Sequence, residues 1–308
     1  FLFNGAVLQM VGDMASETLA LGPESATSFT VEETSDEVEE ESTSPRKDPS
    51  PAIRNLTFER SDNLEDFYES RQLGLHDLYG DTYFVLESFP QDFSEIRQVH
   101  RKKALFHRIM LPLVELENKR ISRDRERIQA IRNHWLNQKK LERSHRSFLN
   151  QQLKTYKITA DTDPVPKRET FDRLLRRVDI VPTSLVLAQA ANESGWGTSR
   201  FTHRANNIFG EWTYNLSEGI KPAGVDESAK FRVKVFEDIR SSLVSYMRNL
   251  NTNAAYRSFR ELRALHRDPI DSLKLVRGLE NYSSRGDEYV DDIASMIEHN
   301  DYQEYDRY

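Results

Sequence analysis

The feature that most constrains this chain is the run from Thr183 to Ala191, Thr-Ser-Leu-Val-Leu-Ala-Gln-Ala-Ala, with Pro182 just ahead of it. It is apolar nearly all round and starts at a proline suited to a first helical turn. Such a helix is stable only when covered on every side by a core. It closes in Asn192-Glu193-Ser194-Gly195-Trp196-Gly197. Two glycines around an aromatic permit a sharp turn and close approach of a bulky ligand.

The covering elements are legible as further helices. Over residues 95–120, Ile96, Val99, Phe106, Ile109, Met110, Leu113 and Leu116 recur at helical spacing, with Pro112 expected to kink or break the helix. Residues 121–143 continue with Ile121, Ile128, Ile131 and Trp135 on one face, and Phe148, Leu149, Leu153 and Tyr156 mark a third helix. Another follows over 168–178, with Phe171, Leu174, Leu175 and Val178 on one side. Helical patterns return over 239–250, 254–264, 269–278 and 287–299. Between them, AKFRVKVF at 229–236 alternates as a strand does, and a partner is expected near 212–216. The expected class is mainly α (α+β), with no internal repeat.

Composition divides the chain. Residues 32–41 read EETSDEVEEE and are followed by Ser and Pro, so residues 1–60 are expected to form a disordered acidic linker. The mildly apolar residues 1–10 are expected to be a trimmed signal or anchor, or an accident of numbering. Residues 61–160 are expected to be a helical extension and 161–308 the main domain, with a linker at DTDPVPK, 161–167. Between Ile96 and Arg146 lie 15 Lys/Arg against 5 Asp/Glu. The excess reads first as a solvated helical face, and second as a surface for anionic lipid or wall polymer. No run approaches the ~20 apolar residues of a membrane span. The chain has no cysteine, which removes disulfides, thiolate nucleophiles and Cys-ligated zinc. A net charge of −7 argues against nucleic acid as partner.

The chemistry concentrates at Glu193. A carboxyl group at the end of an apolar helix is partly desolvated, which raises its pKa and suits it to donate a proton to a glycosidic oxygen. A helix-end Glu is more commonly an ordinary surface or capping residue. His203 lies ten residues on, but no HExxH accompanies it, and GxSxG, a phosphate-cradling glycine loop and a dinucleotide fingerprint are absent. No metal or other cofactor is expected.

The words VPTSLVLAQAANESGWGTSRF (181–201) and NNIFG (206–210) resemble the glucosaminidase family, glycoside hydrolase family 73, and within it the bacterial Bax-like branch. AKFRVKVF, SYMRNLNTNAAYRSFRELR (245–263) and NYSSRGDEYV (281–290) continue the likeness in order, and KKALFHRIMLPLVELENKRI resembles the helical region ahead of the domain in that branch. The resemblance implies a lysozyme-like fold of a helical domain and a small β-hairpin lobe with a cleft between them. It implies hydrolysis of the β-1,4 bond between N-acetylglucosamine and N-acetylmuramic acid in peptidoglycan strands, with Glu193 as catalytic acid. Phe209 and Asn207 resemble sugar-site residues, with core and turn roles as the plain alternatives. Tyr282 matches a cleft tyrosine. Trp196 is included with the substrate site, although packing under the turn is the stronger reading. The second carboxylate is sought among Glu211, Glu218, Asp226 and Glu227, with Glu218 favoured by counting back from the strand; otherwise the substrate's acetamido group acts as nucleophile. The expected location is the bacterial envelope, in the periplasm, anchored to the inner membrane or free, with membrane association arising from a segment upstream or from the basic helices. A lytic transglycosylase or muramidase on the same fold, and a non-catalytic glycan-binding module, are the rivals.

Overall fold

The structure is a computed structural model that describes residues 51–138, 140–159, 167–222, 226, 229–267 and 269–306. The acidic run at 32–41 and the linker at 161–166 lie outside the described residues.

The order is β1 (Ala52–Leu56), α1 (Ser61–Ser70), β2 (Thr82–Leu86), α2 (Val99–Gln138), α3 (Arg143–Thr155), α4 (Arg168–Arg177), α5 (Thr183–Ser194), α6 (Arg200–Ala205), β3 (Trp212–Thr213), β4 (Gly219–Ile220), β5 (Arg232–Lys234), α7 (Ile239–Thr252), α8 (Arg257–Leu265), α9 (Ser272–Leu275) and α10 (Asp287–His299). The class is mainly α, as a lysozyme-like fold requires. β5 lies between β3 and β4, antiparallel to both, with Trp212 opposite Val233 and Ile220 opposite the same valine. The expected hairpin is therefore a three-stranded lobe. Its middle strand falls within the AKFRVKVF pattern.

The buried helix is α5. Thr183 through Ala191 are all buried, and Leu185, Val186 and Leu187 are wholly so. Each such side chain contributes roughly 1.5–3 kcal/mol relative to exposure. α2, α10 and the final 3-10 turn Tyr302–Tyr305 pack around it. The first turn of α5 has no side-chain cap of its own at Pro182. The Ser184 amide instead donates to Asp306 Oδ1 (2.9 Å) and the Thr183 hydroxyl to Glu115 Oε1 (2.9 Å). Burial raises the pKa of both carboxyls above the ordinary carboxylate range.

Two expectations about the N-terminal third are corrected. α2 runs through Pro112 unbroken. A proline inside a helix costs about 3 kcal/mol; here Met110, Leu111, Leu113 and Val114 beside it are fully buried and offset that cost. Residues 52–56 belong to no linker: β1 pairs in parallel with β2, from Ala52 opposite Thr82 to Leu56 opposite Leu86. The strand was hidden because it is short and largely exposed, with no buried alternation, and its partner lies 30 residues on.

The residues 61–160 and those after 167 share one hydrophobic core that runs from Leu64 to Tyr302. Polar pins reinforce the join. Asn118 on α2 donates to the Val181 carbonyl (2.8 Å) and accepts from the Val181 amide (3.2 Å), just ahead of α5. Asp179 is buried among Arg125 of α2 (3.4 Å), Arg263 of α8 (3.7 Å) and Arg267.

Candidate active site

Glu193 is the penultimate residue of α5, at the only half-buried step of an otherwise buried helix besides Asn192. The helix stops there because Gly195 (φ 58°), Trp196 (φ 59°) and Gly197 (φ 79°) take the left-handed conformation in succession. Ser194 ties the turn: its hydroxyl donates to the Ala190 carbonyl (2.6 Å) and accepts from the Gly197 amide (2.7 Å). At Gly197 a Cβ would stand 2.4 Å from Phe89 Cε1, so only glycine fits between the turn and the ring.

A relay of hydrogen bonds ends on the carboxyl group. Tyr246 donates to Gln189 Oε1 (2.5 Å), Gln189 Nε2 donates to the Tyr289 hydroxyl (2.8 Å), and Tyr289 donates to Glu193 Oε1 (2.9 Å). Gln189 lies four residues before Glu193 and therefore on the same helix face. Because Tyr246 gives its proton to the amide oxygen, the amide nitrogen must face Tyr289. That leaves the single Tyr289 proton for the carboxyl group. Asn192 Nδ2 donates to the same oxygen (3.2 Å). Burial first, and the Glu193 charge next, push the Tyr289 hydroxyl well above its ordinary pKa, so it remains a donor.

The tyrosines form one cluster. Tyr282 stacks on Tyr289 (5.4 Å between centroids, 12° between planes) and lies against Tyr256 (5.9 Å) and Tyr246 (6.3 Å). Glu193 raises the pKa of Tyr282, Tyr246 and Tyr256 beyond what burial alone does. Tyr282 is thus at the candidate site. Gln189, Tyr246 and Tyr289 were present in the quoted words without a role. The signal that could have found them is the lone amide on an apolar helix one turn before the acid, since a buried amide must find partners.

Other expected sugar contacts are drawn into the fold. Both amide hydrogens of Asn207 go to backbone carbonyls, those of Glu211 (2.8 Å) and Lys234 (2.9 Å), and its oxygen accepts from the Glu211 amide (2.9 Å). It closes the turn and pins β5, with no donor left for an acetamido group. Phe209 is 4% exposed and stacks on Tyr246 at 3.8 Å and 6°, so it orders the relay and offers no sugar platform. Trp196 meets Phe106 edge-on (5.5 Å) and lies edge-on to His107 (5.9 Å), with Lys103 Nζ 4.3 Å above its ring. Packing is its role, by residues of α2.

The carboxylates of the β lobe differ. Glu218 is exposed in the 3-10 turn Leu216–Glu218, ahead of β4, where Asn215 Nδ2 donates to its Oε1 (2.7 Å). Glu211 is shielded; Ser245 donates to its Oε2 (2.7 Å), and Lys234 Nζ lies 3.8 Å away. Burial raises its pKa, opposed by Ser245 and Lys234. Asp226 is exposed, and Glu227 lies outside the described residues. His203 is held half-buried beside Phe89 (6.5 Å), and burial lowers its pKa. Among the described residues no group of three or more His, Asp or Glu is placed to hold a metal ion.

A half-buried carboxyl group at a helix end, held by a tyrosine hydroxyl, is suited to hand a proton to a leaving oxygen, the step that glycoside cleavage needs. The family model Glucosaminidase, described as mannosyl-glycoprotein endo-beta-N-acetylglucosaminidase, matches residues 168–302. The chain is also similar to Protein bax of Escherichia coli (strain K12), 32% identical over 210 residues, covering 65% of this chain and 70% of that protein. The chain belongs to the glucosaminidase family, in its Bax-like branch. It is a glycosidase whose substrate is a glycan. No solved structure matches it.

Proposed function

We propose that the protein is a β-N-acetylglucosaminidase of the bacterial envelope that cuts peptidoglycan between N-acetylglucosamine and N-acetylmuramic acid. The observation that carries this reading is the Tyr246–Gln189–Tyr289–Glu193 relay. Glu193 protonates the glycosidic oxygen. The carboxylate it becomes is met by a Tyr289 donor already aimed at Oε1, with no reorganisation needed as the charge develops. Tyr282, stacked on Tyr289, lines the approach for the sugar. Glu218 is the second carboxylate, positioning water or stabilising the oxocarbenium-like state. Its exposure on the lobe supports this role, whereas Glu211 is shielded, with Oε2 held by Ser245 and Lys234.

The test is digestion of purified peptidoglycan, with reduced products read by mass spectrometry. Wild type is expected to release chains ending in reducing N-acetylglucosamine. Glu193→Gln is expected to lose that release by about 10²–10⁴-fold, the usual contribution of a positioned acid. Glu218→Gln is expected to lose kcat with KM little changed. Anhydro-muramic ends would instead make the enzyme a lytic transglycosylase. Wild type that releases nothing from several wall types would overturn the hydrolytic reading.

A further inference from the structure

A pocket of about 380 Å³ lies between β5 and the outer face of α7, lined by Lys234, Phe236, Arg240, Val244, Ser245 and Arg248. Lys234 is paired with Glu211 (3.8 Å), but among the described residues the two arginines have no ion pair. Neither the Arg240 nor the Arg248 guanidinium makes an ion pair among the described residues, and Arg240 Nε is shielded from solvent with no acceptor. Asp238 also lines the pocket, but its carboxylate accepts from the Ser241 amide (2.6 Å) as the cap of α7. Lys234 is held in place, its Nζ 3.2 Å from Ser245 Oγ and 4.6 Å above the Phe236 ring. The walls thus offer two guanidinium groups without an ion pair, beside the Glu211-bound Lys234, over an apolar floor of Phe236 and Val244. A shielded guanidinium N–H without an acceptor is costly, and a carboxylate is the group it fits best.

The pocket and the candidate active site share one helix and one carboxylate as neighbours. Tyr246 of α7 starts the relay to Glu193, while its neighbour Ser245 lines the pocket. Ser245 and Lys234 both meet Glu211 Oε2, and Glu211 shares with Glu193 the surroundings of Tyr256. A wall strand that occupied both the pocket and the surroundings of Glu193 would present sugar to one and a branch with an anionic group and small apolar parts to the other. In peptidoglycan, the short peptides carried on the lactyl groups have that chemistry, with free carboxylates and methyl side chains.

We propose that this pocket is a subsite for the carboxylate-bearing peptide stems of the wall, so that the enzyme selects glycan that still carries its peptides. The proposal rests on the peptidoglycan reading above. Phe236 and Val244 receive the methyl groups, Arg240 and Arg248 pair with carboxylates, and Lys234 stays fixed by Ser245 and Glu211.

The experiment uses the full chain and two probes. One is soluble glycan chains with tetrapeptides attached; the other is the same chains stripped of peptides by an amidase. Binding is read by calorimetry with Glu193→Gln protein, so that nothing is cut, and initial rates are read separately with active protein. The expected result is at least about a tenfold preference for peptide-bearing chains. In Arg240→Gln/Arg248→Gln the ratio of the two affinities falls to near one, and each single variant falls between. Circular dichroism of the variants should superimpose on that of the parent. A parent without preference, or a double variant that keeps the parent's ratio, overturns the subsite. Loss of equal size on both probes also overturns it, since the arginines then serve the glycan or the fold. The two readings fail separately. Preference that depends on the arginines, without release of reducing ends by active protein, leaves the subsite standing and removes the hydrolase. Release with no preference does the reverse.

Discussion

Single side chains decide the chemistry at Glu193 and part of the molecule's response to acid. Tyr289→Phe removes the donor to Oε1. A hydrogen bond to a charged group contributes about 1.5–3 kcal/mol, so kcat/KM is expected to fall by roughly 10–100-fold. Losing a donor to the carboxylate also raises the pKa of the acid. The alkaline limb of the pH–rate profile, where Glu193 must still hold its proton, is therefore expected to move to higher pH. A drop in rate with an unmoved limb would show that Tyr289 merely packs. His107 of α2 acts on stability. It is half-buried between Trp196 and Tyr302, bonded to the Tyr302 hydroxyl (2.8 Å), and burial lowers its pKa to about 4, with Lys103 adding to the effect. The unfolded chain takes up this proton near pH 6.5 and the folded one near 4. The stabilising effect is thus full above 6.5 and is lost as pH falls from 6.5 towards 4, by roughly 3 kcal/mol. The decline in Tm across that window is expected to flatten in His107→Gln; a curve parallel to wild type would assign the acid sensitivity elsewhere.

Elements meet where the sequence is silent about distance. Gly197→Ala would force a Cβ to 2.4 Å from Phe89 at φ 79°, and is expected to destabilise by more than about 2 kcal/mol. Phe89→Leu is expected to relieve part of that cost, giving a coupling energy of about 0.5–3 kcal/mol in a double-mutant cycle of urea unfolding. Additive effects would deny the contact. The helices, the middle strand and the position of Glu193 were legible because each rests on periodicity or on a contiguous word. The relay was legible only in fragments, since Gln189, Tyr246 and Tyr289 lie 57 and 100 residues apart. Pairs such as Asn118 with Val181, or Asp306 with Ser184, leave no local trace at all. Aromatic residues near the motif misled for a related reason. Phe209 and Trp196 are as suited to packing as to sugar, and only their neighbours decide between the two.

The described residues form one packing unit from Leu64 to Tyr302, although the family match spans only 168–302. A chain cut to residues 161–308 would expose the α5 face that α2 covers and strip Asp179 of Arg125. It is expected to lose cooperative thermal unfolding and all activity. A truncated chain that melts sharply and cuts faster than the full one would show instead that the N-terminal helices restrain the enzyme. The enclosure of α5 from Thr183 to Ala191 has a further consequence for the timing of events. Residues 187–191 are all buried, so their amides are expected to be among the slowest to exchange, which hydrogen exchange read residue by residue checks. Glu193 lies two residues beyond that segment, on the same helix. Fraying at the periphery leaves the acid in register with its tyrosines, and heat extinguishes the site only when it dissolves the fold.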